Sequence, residues 1–408
     1  MGDASPDAPL PLEDLAGLRD LSADSSLVSD VPFDDPSAEV APDALPDVLD
    51  APITDSSSDA KRDVSSDVSL DAHPPVRVAR LEVASGIALM EDGTLRHWGT
   101  SAIGVYDPTP VRFSSFMRDA VRVASGGAHM CAVLASGRVH CIGSNRSAQL
   151  GAQPYGDGMY RSLLVDEITT ATEVCAGNEF TCALLADRTP RCWGWGFFVG
   201  IRVTDPPRLY VVPSVAPEGL TDIAGLAAGF RYACAVARDG HVYCWGDVPG
   251  LTGIRPDRPT LIGGLQDVIQ ISSQYQSTCA LRRGGTVWCF GDIAHAIRPV
   301  EVPGLSGVAE VAVGTSHACA RMEDGSVRCW GENRFGQLGD GTIALDVVTT
   351  PTVVRGLPPV IQVGTRGAST CALTTDHGVY CWGDNRSAEL GVATPTSSQS
   401  SPVHVPIE

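Results

Sequence analysis

From residue 76 onward, short apolar runs alternate with polar turns along the whole chain. Residues 317–322 and 326–331, HACARM and SVRCWG, show this pattern well, because apolar and polar positions alternate on both sides of a Glu-Asp-Gly turn at 323–325. Alternation with a period of two is typical of half-buried β-strands, and a glycine at the end of the turn suits a tight hairpin. The stretch is therefore predicted to form two antiparallel strands.

The same hairpin recurs seven times. Aligned on the first residue of the frame CALxxDGxVxCWG, the copies begin at residues 87, 131, 182, 234, 279, 319 and 371. A short apolar run such as residues 311–314 precedes most hairpins, and a run that begins with proline, such as residues 351–354, precedes that. Four short strands repeated every 40–52 residues are typical of propeller blades. We predict an all-β, seven-bladed β-propeller over residues 76–408.

The two ends of the repeat region predict how the ring closes. The last apolar run, residues 401–406, follows the seventh hairpin, whereas the first hairpin has no proline-led run before it. We expect this C-terminal strand to complete the first blade, because such an exchange closes the ring and leaves fewer open sheet edges.

Residues 1–75 differ in composition from the rest of the chain. They carry eighteen acidic and three basic residues, a net charge of −15 out of −19 for the whole chain. Low apolar content and repulsion between like charges predict a disordered acidic tether that the propeller does not need in order to fold. Asp recurs every fourth residue from Asp55 to Asp71. Calcium binding is the alternative interpretation, but the turn glycine of an EF-hand loop is absent.

Charge also limits the class of partner. Residues 76–408 are nearly neutral, with a net charge of about −4 and no basic stretch. Because binding to phosphate backbones needs a basic surface, we expect no nucleic-acid partner.

Twelve of the thirteen cysteines form pairs ten residues apart inside the hairpins. The pairs are Cys131 with Cys141, Cys182 with Cys192, Cys234 with Cys244, Cys279 with Cys289, Cys319 with Cys329, and Cys371 with Cys381. Repeat one has Ile87 and His97 at these positions, so both cysteines are absent together, as disulfide pairing predicts. We expect six disulfides within blades, with reduced core thiols or a metal site as alternatives. Cys175 is left over and is expected to be a buried free thiol, with an interchain bridge as the alternative.

Six disulfides persist only in an oxidising compartment. No apolar run is long enough to span a membrane, and the given start lacks the basic and apolar regions of a signal peptide. We therefore expect the true start to lie upstream, with a lipid anchor there as one way to hold the protein at a surface. Lys61 is the only lysine, a bias typical of GC-rich bacterial genomes. The expected location is the exterior or cell surface of a bacterium.

Repeat six carries a more specific signal. Its motif residues are His317, Trp330, Gly331, Asn333, Gly336, Gln337, Leu338 and Gly339. This repeat resembles that of the regulator of chromosome condensation family, whose members form seven-bladed propellers. Residues 145–151 and 385–391 keep shortened forms of its polar tail, which repeats one, three, four and five have lost.

The resemblance implies several functions. The founding member is an exchange factor for a small GTPase that also binds chromatin, but no position of this sequence matches residues for that activity. Secreted bacterial members, among them an inhibitor of β-lactamases, bind a target with the loop face of the propeller. We therefore expect an extracellular binding propeller, with a GTPase exchange factor and a propeller hydrolase or lyase as alternatives.

No catalytic or cofactor site is evident in the sequence. His129 and His317 occupy the same repeat position, two residues before a cysteine, and a repeated histidine is more often structural than catalytic. No nucleophile with a matching base and no phosphate-binding loop is present. We expect a protein that is not an enzyme and has no metal or cofactor.

Aromatic residues in repeats two and three are the candidate partner-binding residues. They are Trp195, Phe197, Phe198, Tyr210, Tyr155 and Tyr160, in loops where repeat six is polar. Exposed aromatic residues often form the energetic centre of an interface. They predict a surface for a protein or glycan partner on a monomeric propeller; the alternative is that they fill gaps between blades.

Overall fold

The computed structural model describes residues 77–82, 86–100, 106–112, 117–153, 161–200, 210–249, 258–393 and 396–407. The predicted acidic tether, residues 1–75, and its boundary with the propeller lie outside the described residues.

The described residues form seven four-stranded antiparallel sheets, each made of four consecutive strands. Blades 1 to 4 contain β1 (Val78–Glu82), β2 (Ile87–Met90), β3 (Leu95–Thr100) and β4 (Tyr106–Arg112); β5 (Ala120–Ser125), β6 (His129–Leu134), β7 (Val139–Gly143) and β8 (Arg161–Val165); β9 (Ala171–Ala176), β10 (Phe180–Leu185), β11 (Pro190–Trp195) and β12 (Tyr210–Val215); β13 (Ile223–Ala228), β14 (Tyr232–Ala237), β15 (Val242–Gly246) and β16 (Thr260–Leu261).

Blades 5 to 7 contain β17 (Val268–Gln274), β18 (Ser277–Arg282), β19 (Val287–Gly291) and β20 (Ala296–Glu301); β21 (Val308–Val313), β22 (His317–Met322), β23 (Val327–Asn333) and β24 (Ala344–Val353); β25 (Val360–Arg366), β26 (Ser369–Thr374), β27 (Val379–Asp384) and β28 (Ser398–Val405). The first strands of the sheets surround a central channel of about 410 Å³. The prediction of an all-β, seven-bladed propeller is confirmed.

The predicted closing strand is wrong. β28 pairs with β27 in blade 7, and blade 1 is built from its own four strands. Each proline-led run is the outer strand of the blade whose hairpin precedes it, so the C-terminal run belongs to blade 7. Side chains close the ring instead. The amide of Gln362 in blade 7 donates to the carbonyl of Leu81 and accepts from its N–H, both at 2.8 Å.

The central hairpins have the predicted register. In blade 6, Cys319 lies opposite Cys329, and Gly325 takes a φ of 81° in the turn, a conformation that glycine adopts without steric cost. In blade 1, Ile87 lies opposite His97 in the equivalent pair. The hairpin therefore keeps one register whether or not it carries cysteines.

Disulfides join the two central strands of blades 2 to 7. They connect Cys131 with Cys141, Cys182 with Cys192, Cys234 with Cys244, Cys279 with Cys289, Cys319 with Cys329, and Cys371 with Cys381. These are the six pairs expected from the sequence, and the Cα atoms of each pair lie 4.0–4.1 Å apart. All twelve sulfurs are buried in the blades, so these cysteines are structural residues and take no part in a binding surface.

Apolar clusters fill each of the seven junctions between blades. A tryptophan near the end of the third strand is fully buried in several of them, at Trp98, Trp193, Trp245 and Trp382. A Leu-Gly pair from the preceding blade packs against three of these rings: Leu150-Gly151, Leu338-Gly339 and Leu390-Gly391. Gly339 is so close to Trp382 that an added Cβ would come within 2.6 Å of its indole nitrogen. The polar tail of the repeat therefore serves to dock one blade on the next.

Candidate binding surface on the loop face

The two ends of the ring carry different connections. One end, the loop face, carries the links between first and second strands, at residues 126–128, 177–179, 229–231, 275–276, 314–316 and 367–368, together with those between third and fourth strands. The other end, the hairpin face, carries the central turns, at residues 91–94, 135–138, 186–189, 238–241, 283–286, 323–326 and 375–378. Of the aromatic residues predicted from the sequence, Trp195 at the end of β11 and Phe198 in the turn that follows it lie on the loop face.

Phe198 does not fit the predicted exposed surface, and this part of the prediction is corrected. Its side chain is only 9% exposed and packs against Phe180, with ring centroids 6.1 Å apart, in the junction between blades 3 and 4. The physical reason is the short 3-10 turn Gly196–Phe198, which returns the chain to the junction. Val199 and Gly200 then take the place of the Leu-Gly pair, with Gly200 against Trp245. Repeat three has therefore kept the docking function of the tail.

The other predicted aromatic residues are less informative. Trp195 is half-buried and stacks on Phe198 at 6.4 Å, so it covers the junction. The side chains of Phe197 and Tyr210 lie outside the description, although their backbones belong to the 3-10 turn and to β12. Tyr155 and Tyr160 lie outside the described residues.

Backbone hydrogen bonds join neighbouring loops around the channel mouth. The N–H of Asn178 donates to the carbonyl of Phe230, and the N–H of Phe230 donates to that of Tyr275, each at 2.8 Å. The N–H of Thr315 donates to Gly367 in the same way at 3.0 Å. Since these loops are each tied to a neighbouring blade, the side chains that they carry are held in fixed positions.

Two of these loops carry an aromatic pair that the sequence analysis missed. The rings of Phe230 and Tyr275 lie 5.2 Å apart at the channel mouth, and the guanidinium of Arg231 lies 5.6 Å from the Phe230 ring. Tyr275 is 42% exposed, Arg231 is exposed and Phe230 is half-buried. We name Phe230, Arg231 and Tyr275 the aromatic ledge. It presents a rigid apolar surface beside a cation, a combination that is common at the centre of protein interfaces.

The backbone at Tyr275 is strained. Residues 275–276 form a two-residue turn between β17 and β18, and Tyr275 takes a φ of 50°. Blade 7 has the same two-residue turn, with Gly367 at a φ of 53°. A bulky side chain in this left-handed region costs on the order of 1 kcal/mol, whereas glycine adopts it freely. Repeat five thus has tyrosine at a turn position where repeat seven has glycine. This difference between repeats is the sequence feature from which the ledge could have been predicted.

The channel below the ledge is lined mainly by small and polar groups. Its upper part contains Ser125, Asn178, Ser273, Gln274 and Thr365. The side chain of Gln274 reaches past blade 6 and accepts a hydrogen bond from the Gly367 N–H at 3.1 Å. The mouth is therefore narrowed by Gln274 and bordered by the aromatic ledge.

The repeated histidines lie in the junctions, away from the channel. His129 Nε2 is 2.8 Å from the hydroxyl of Thr181 in the next blade, and that hydroxyl donates to the Gln149 carbonyl at 2.9 Å. Because the Thr181 hydroxyl donates its own proton to Gln149, it accepts a hydrogen bond from His129, whose Nε2 therefore carries a proton. Burial lowers the pKa of His129 to about 4 and that of His317, which pairs with Thr370, to about 3. Both rings are neutral links between blades.

Cys175 is the free cysteine among the described residues, and it is buried. It lies opposite Cys182 in the β9–β10 register. Burial, reinforced by the nearby Glu173 carboxyl, raises the pKa of the thiol far above its ordinary value. A protonated, buried thiol is unreactive.

No three His, Cys, Asp or Glu side chains among the described residues are grouped closely enough to hold a metal ion. In the same part of the chain, no helix has the length and apolar character needed to cross a membrane. The six disulfides are typical of proteins in oxidising compartments.

Comparison with known proteins identifies the repeat. The family model described as Regulator of chromosome condensation (RCC1) repeat matches residues 120–149, 223–247, 308–337 and 367–388, and a second model of that repeat matches 324–373. The ultraviolet-B receptor UVR8 of Arabidopsis thaliana is 28% identical over 155 residues, 38% of this chain and 34% of that protein. Protein pim1 of Schizosaccharomyces pombe is 28% identical over 149 residues, 32% of this chain and 28% of that protein. The chain spans about a third of the length of these curated relatives.

Solved structures agree on the architecture. Prp20p from Saccharomyces cerevisiae superposes with a TM-score of 0.68 at 16% identity, covering 81% of this chain and 88% of that one. Human WBSCR16 superposes with a TM-score of 0.64 at 19% identity, covering 74% and 85%. At these identities the likeness shows the fold alone. The chain is a seven-bladed β-propeller, and its matched segments are similar to the regulator of chromosome condensation repeat.

Proposed function

We propose that this protein is a non-catalytic binding propeller that acts in an extracellular, oxidising compartment and holds a protein partner on its loop face. The observation that carries the proposal is the aromatic ledge. Tyr275 keeps an exposed ring at a position where its own backbone favours glycine. Strain that folding does not require is common at functional sites, because binding can compensate for it.

The chemistry of the ledge favours a protein over a glycan. Tyrosine and arginine are enriched among the residues that dominate protein interfaces, and they pair with apolar and acidic groups of the partner. Arg231 supplies an exposed cation beside the rings of Phe230 and Tyr275. The fixed loop backbones also support tight binding, because little conformational entropy is lost when the partner docks.

Relatives give general support only. Prp20p was characterised for its binding to Gsp1p and histones, so one protein of this fold binds other proteins. Its partners are not transferred here, since 16% identity shows no shared interface. The exchange-factor and hydrolase alternatives have no specific observation in their favour among the described residues. We therefore retain a binding role without catalysis.

The six disulfides support the extracellular location. Because the chain is poor in lysine, we propose the exterior or cell surface of a bacterium. The curated relatives named above come from a plant and a yeast and do not bear on this source.

The proposal is tested by capture on oxidised, immobilised propeller from the native extracellular fraction, followed by affinity measurement with the captured partner. We compare the wild type with Tyr275→Ser, with Phe230→Ser and with the control Tyr106→Ser. Tyr106 is 58% exposed but lies on the outer strand of blade 1.

We expect Tyr275→Ser to weaken binding by tenfold or more, about 1.4 kcal/mol, while its melting temperature stays close to that of the wild type. Tyr106→Ser should bind normally. Equal loss in the control would contradict the placement on the ledge. Binding that survives protease treatment of the captured material but not deglycosylation would contradict the protein partner.

A further inference from the structure

Blade 3 has a third cysteine beside its disulfide. Cys175 lies opposite Cys182 in the pairing of β9 with β10, and Cys182 lies opposite Cys192 in the pairing of β10 with β11. Register partners carry their side chains on the same face of a sheet, and all three cysteines belong to the apolar cluster between blades 3 and 4. We name Cys175, Cys182 and Cys192 the cysteine row, because their sulfurs follow one another across three neighbouring strands.

The other disulfide-bonded blades have no cysteine at the position of Cys175. Small residues lie there, opposite the first cysteine of each pair: Ala124, Ala227, Ser272, Ala312 and Gly364. Five blades thus pack their first strand against the disulfide without a third sulfur. Packing alone therefore does not explain a cysteine at residue 175.

The register brings the Cys175 thiol within reach of the Cys182 sulfur. The Cα atoms of Cys182 and Cys192 are 4.0 Å apart, as in a non-hydrogen-bonded pair, so the backbone of Cys182 is directed toward β9. Cys175 and Cys182 are then a hydrogen-bonded pair, in agreement with the bond of 3.0 Å from the Gly177 N–H to the Phe180 carbonyl in the same ladder. Cα atoms of such pairs are about 5.5 Å apart, within the range that a disulfide spans.

A second contact supports this placement. The Cys175 thiol is hydrogen-bonded to the backbone of Cys182. Because Cβ atoms stand closer together in a non-hydrogen-bonded pair, the bridge from Cys182 to Cys192 is the favoured one of the two. The row therefore offers one preferred disulfide and one alternative.

The closed blade keeps the two arrangements from exchanging, since the buried Cys175 thiol is protonated. Local opening of β9 from β10 exposes the thiol to water and returns its pKa to the ordinary cysteine value of about 8.5. Thiolate then forms, and thiolate is the nucleophile of disulfide exchange.

We propose that Cys175 is the exchange partner of the disulfide in blade 3. When the blade opens, the Cys175 thiolate attacks the Cys182 sulfur, a Cys175–Cys182 bond forms, and the Cys182–Cys192 bond breaks. Cys192 leaves as a thiolate and takes up the proton that Cys175 released. One disulfide and one thiol are present before and after the step, so it needs no oxidant or reductant. This exchange is independent of the proposed loop-face function.

The exchange changes which strands of blade 3 are joined. The native bridge holds β11 to β10, whereas the alternative bridge holds β9 to β10 and leaves β11 without a disulfide. β11 leads directly into the 3-10 turn Gly196–Phe198, whose Phe198 packs in the junction with blade 4. The disulfide of blade 3 is therefore a switch that tightens or releases this junction.

The exchange is tested by a variant with a matched control. Cys192→Ala removes the partner of Cys182, and Cys329→Ala removes the partner of Cys319 in blade 6, where Ala312 takes the place of Cys175. Both variants are produced in an oxidising compartment, and alkylation under denaturing conditions with mass spectrometry counts their free thiols. Both should fold, because blade 1 forms without a disulfide.

We expect no free thiol in Cys192→Ala, because Cys175 bridges to Cys182, and two free thiols in Cys329→Ala, at Cys175 and Cys319. Two free thiols in Cys192→Ala, at Cys175 and Cys182, would overturn the proposal.

The wild-type protein gives a second test that does not depend on a variant folding. It is held at about pH 8.5 in mild denaturant without reductant, then alkylated and mapped. We expect label on Cys192 as well as on Cys175, at least tenfold more than on Cys319 or Cys329. In Cys175→Ser, which has no free thiol to start the exchange, label on Cys192 should fall at least tenfold. Label on Cys175 alone in the wild type, or unchanged label on Cys192 in Cys175→Ser, would contradict the exchange.

Discussion

Blade 1 and blade 6 share one strand order, yet their central hairpins are held by different interactions. In blade 6, the disulfide between Cys319 and Cys329 joins the two strands. In blade 1, Ile87 faces His97, and His97 Nε2 lies 3.1 Å from the carboxylate of Asp107 on the outer strand. Both hairpins keep the same register and bury the same positions, except that Leu89 is buried where Arg321 is half-buried. This comparison shows that a blade of this propeller can form without a disulfide.

What every blade needs is contact with its neighbours. Trp98 next to blade 7 and Trp382 next to blade 6 are fully buried, and their indole nitrogens donate to the carbonyls of Glu389 and Gln337 at 2.9 Å. The same device thus docks a blade without a disulfide and a blade with one. We conclude that junction packing sets the architecture, and that the disulfides add stability locally.

Replacing an anchor should therefore have the largest effect. Trp382→Ala removes a buried indole and its hydrogen bond, and we expect a loss of about 3–5 kcal/mol in the free energy of unfolding. Trp98→Ala should cost a similar amount, although its blade lacks a disulfide. Chemical denaturation of the oxidised protein measures both. A loss below about 1 kcal/mol for either variant would show that the junctions do not control stability.

Removing one disulfide should cost less. The double variant Cys319→Ala, Cys329→Ala opens a loop of about ten residues, for which chain entropy gives at most about 3 kcal/mol. In the opposite direction, Ile87→Cys with His97→Cys should form a seventh bridge, because the two positions are register partners. Non-reducing peptide mapping checks that bridge, and it also checks the six native pairs. Bridges between blades would contradict the scheme.

Acid should weaken the junctions that hold buried histidines. Burial lowers the pKa of His317 from 6.5 to about 3. The neutral ring therefore contributes stability that is complete above pH 6.5 and is lost as the pH falls toward 3, approaching about 1.4 kcal/mol per pH unit. The stability contributed by neutral His129 should be lost in the same way as the pH falls from 6.5 to about 4.

The histidine of blade 1 provides the contrast for this acid effect. Burial also lowers the pKa of His97, but Asp107 opposes the shift. Denaturation between about pH 4 and 7 should show a reduced slope in His317→Asn and little change in His97→Asn. An equal change in both variants would contradict the difference between the two blades.

The junction between blades 7 and 1 closes the ring through side chains and not through a shared strand. Gln362→Leu removes two side-chain hydrogen bonds to Leu81, and we expect a loss of about 1–2 kcal/mol. Hydrogen exchange should rise first at β1 and β25. Faster exchange in a different blade would mean that ring closure depends on other contacts.

Sequence periodicity predicted the hairpins and the seven blades, because alternation around a Gly turn specifies both strands and register. It did not predict the closing strand. The proline-led run precedes one hairpin and follows another, and only the hydrogen bonds between β27 and β28 assign it to the earlier blade. The number of blades is thus a local property of the sequence, whereas strand assignment depends on tertiary pairing.

The candidate site was harder to predict for a related reason. Phe198 was expected on the surface because repeat three lacks the Gln-Leu-Gly tail, yet Val199 and Gly200 perform the same docking and draw Phe198 into the junction. Composition alone could not show that a different sequence fills the same space. Tyr275 was detectable only by comparing turn positions between repeats, since it stands where blade 7 has Gly367.

The central claim is that a partner docks on the aromatic ledge. Hydrogen–deuterium exchange of the propeller, alone and with the captured partner, tests it most directly. We predict that exchange slows at residues 229–231 and 275–276 on the loop face and stays unchanged at the hairpin turn 323–326. Protection confined to the hairpin face, with no change at residues 275–276, would contradict the account.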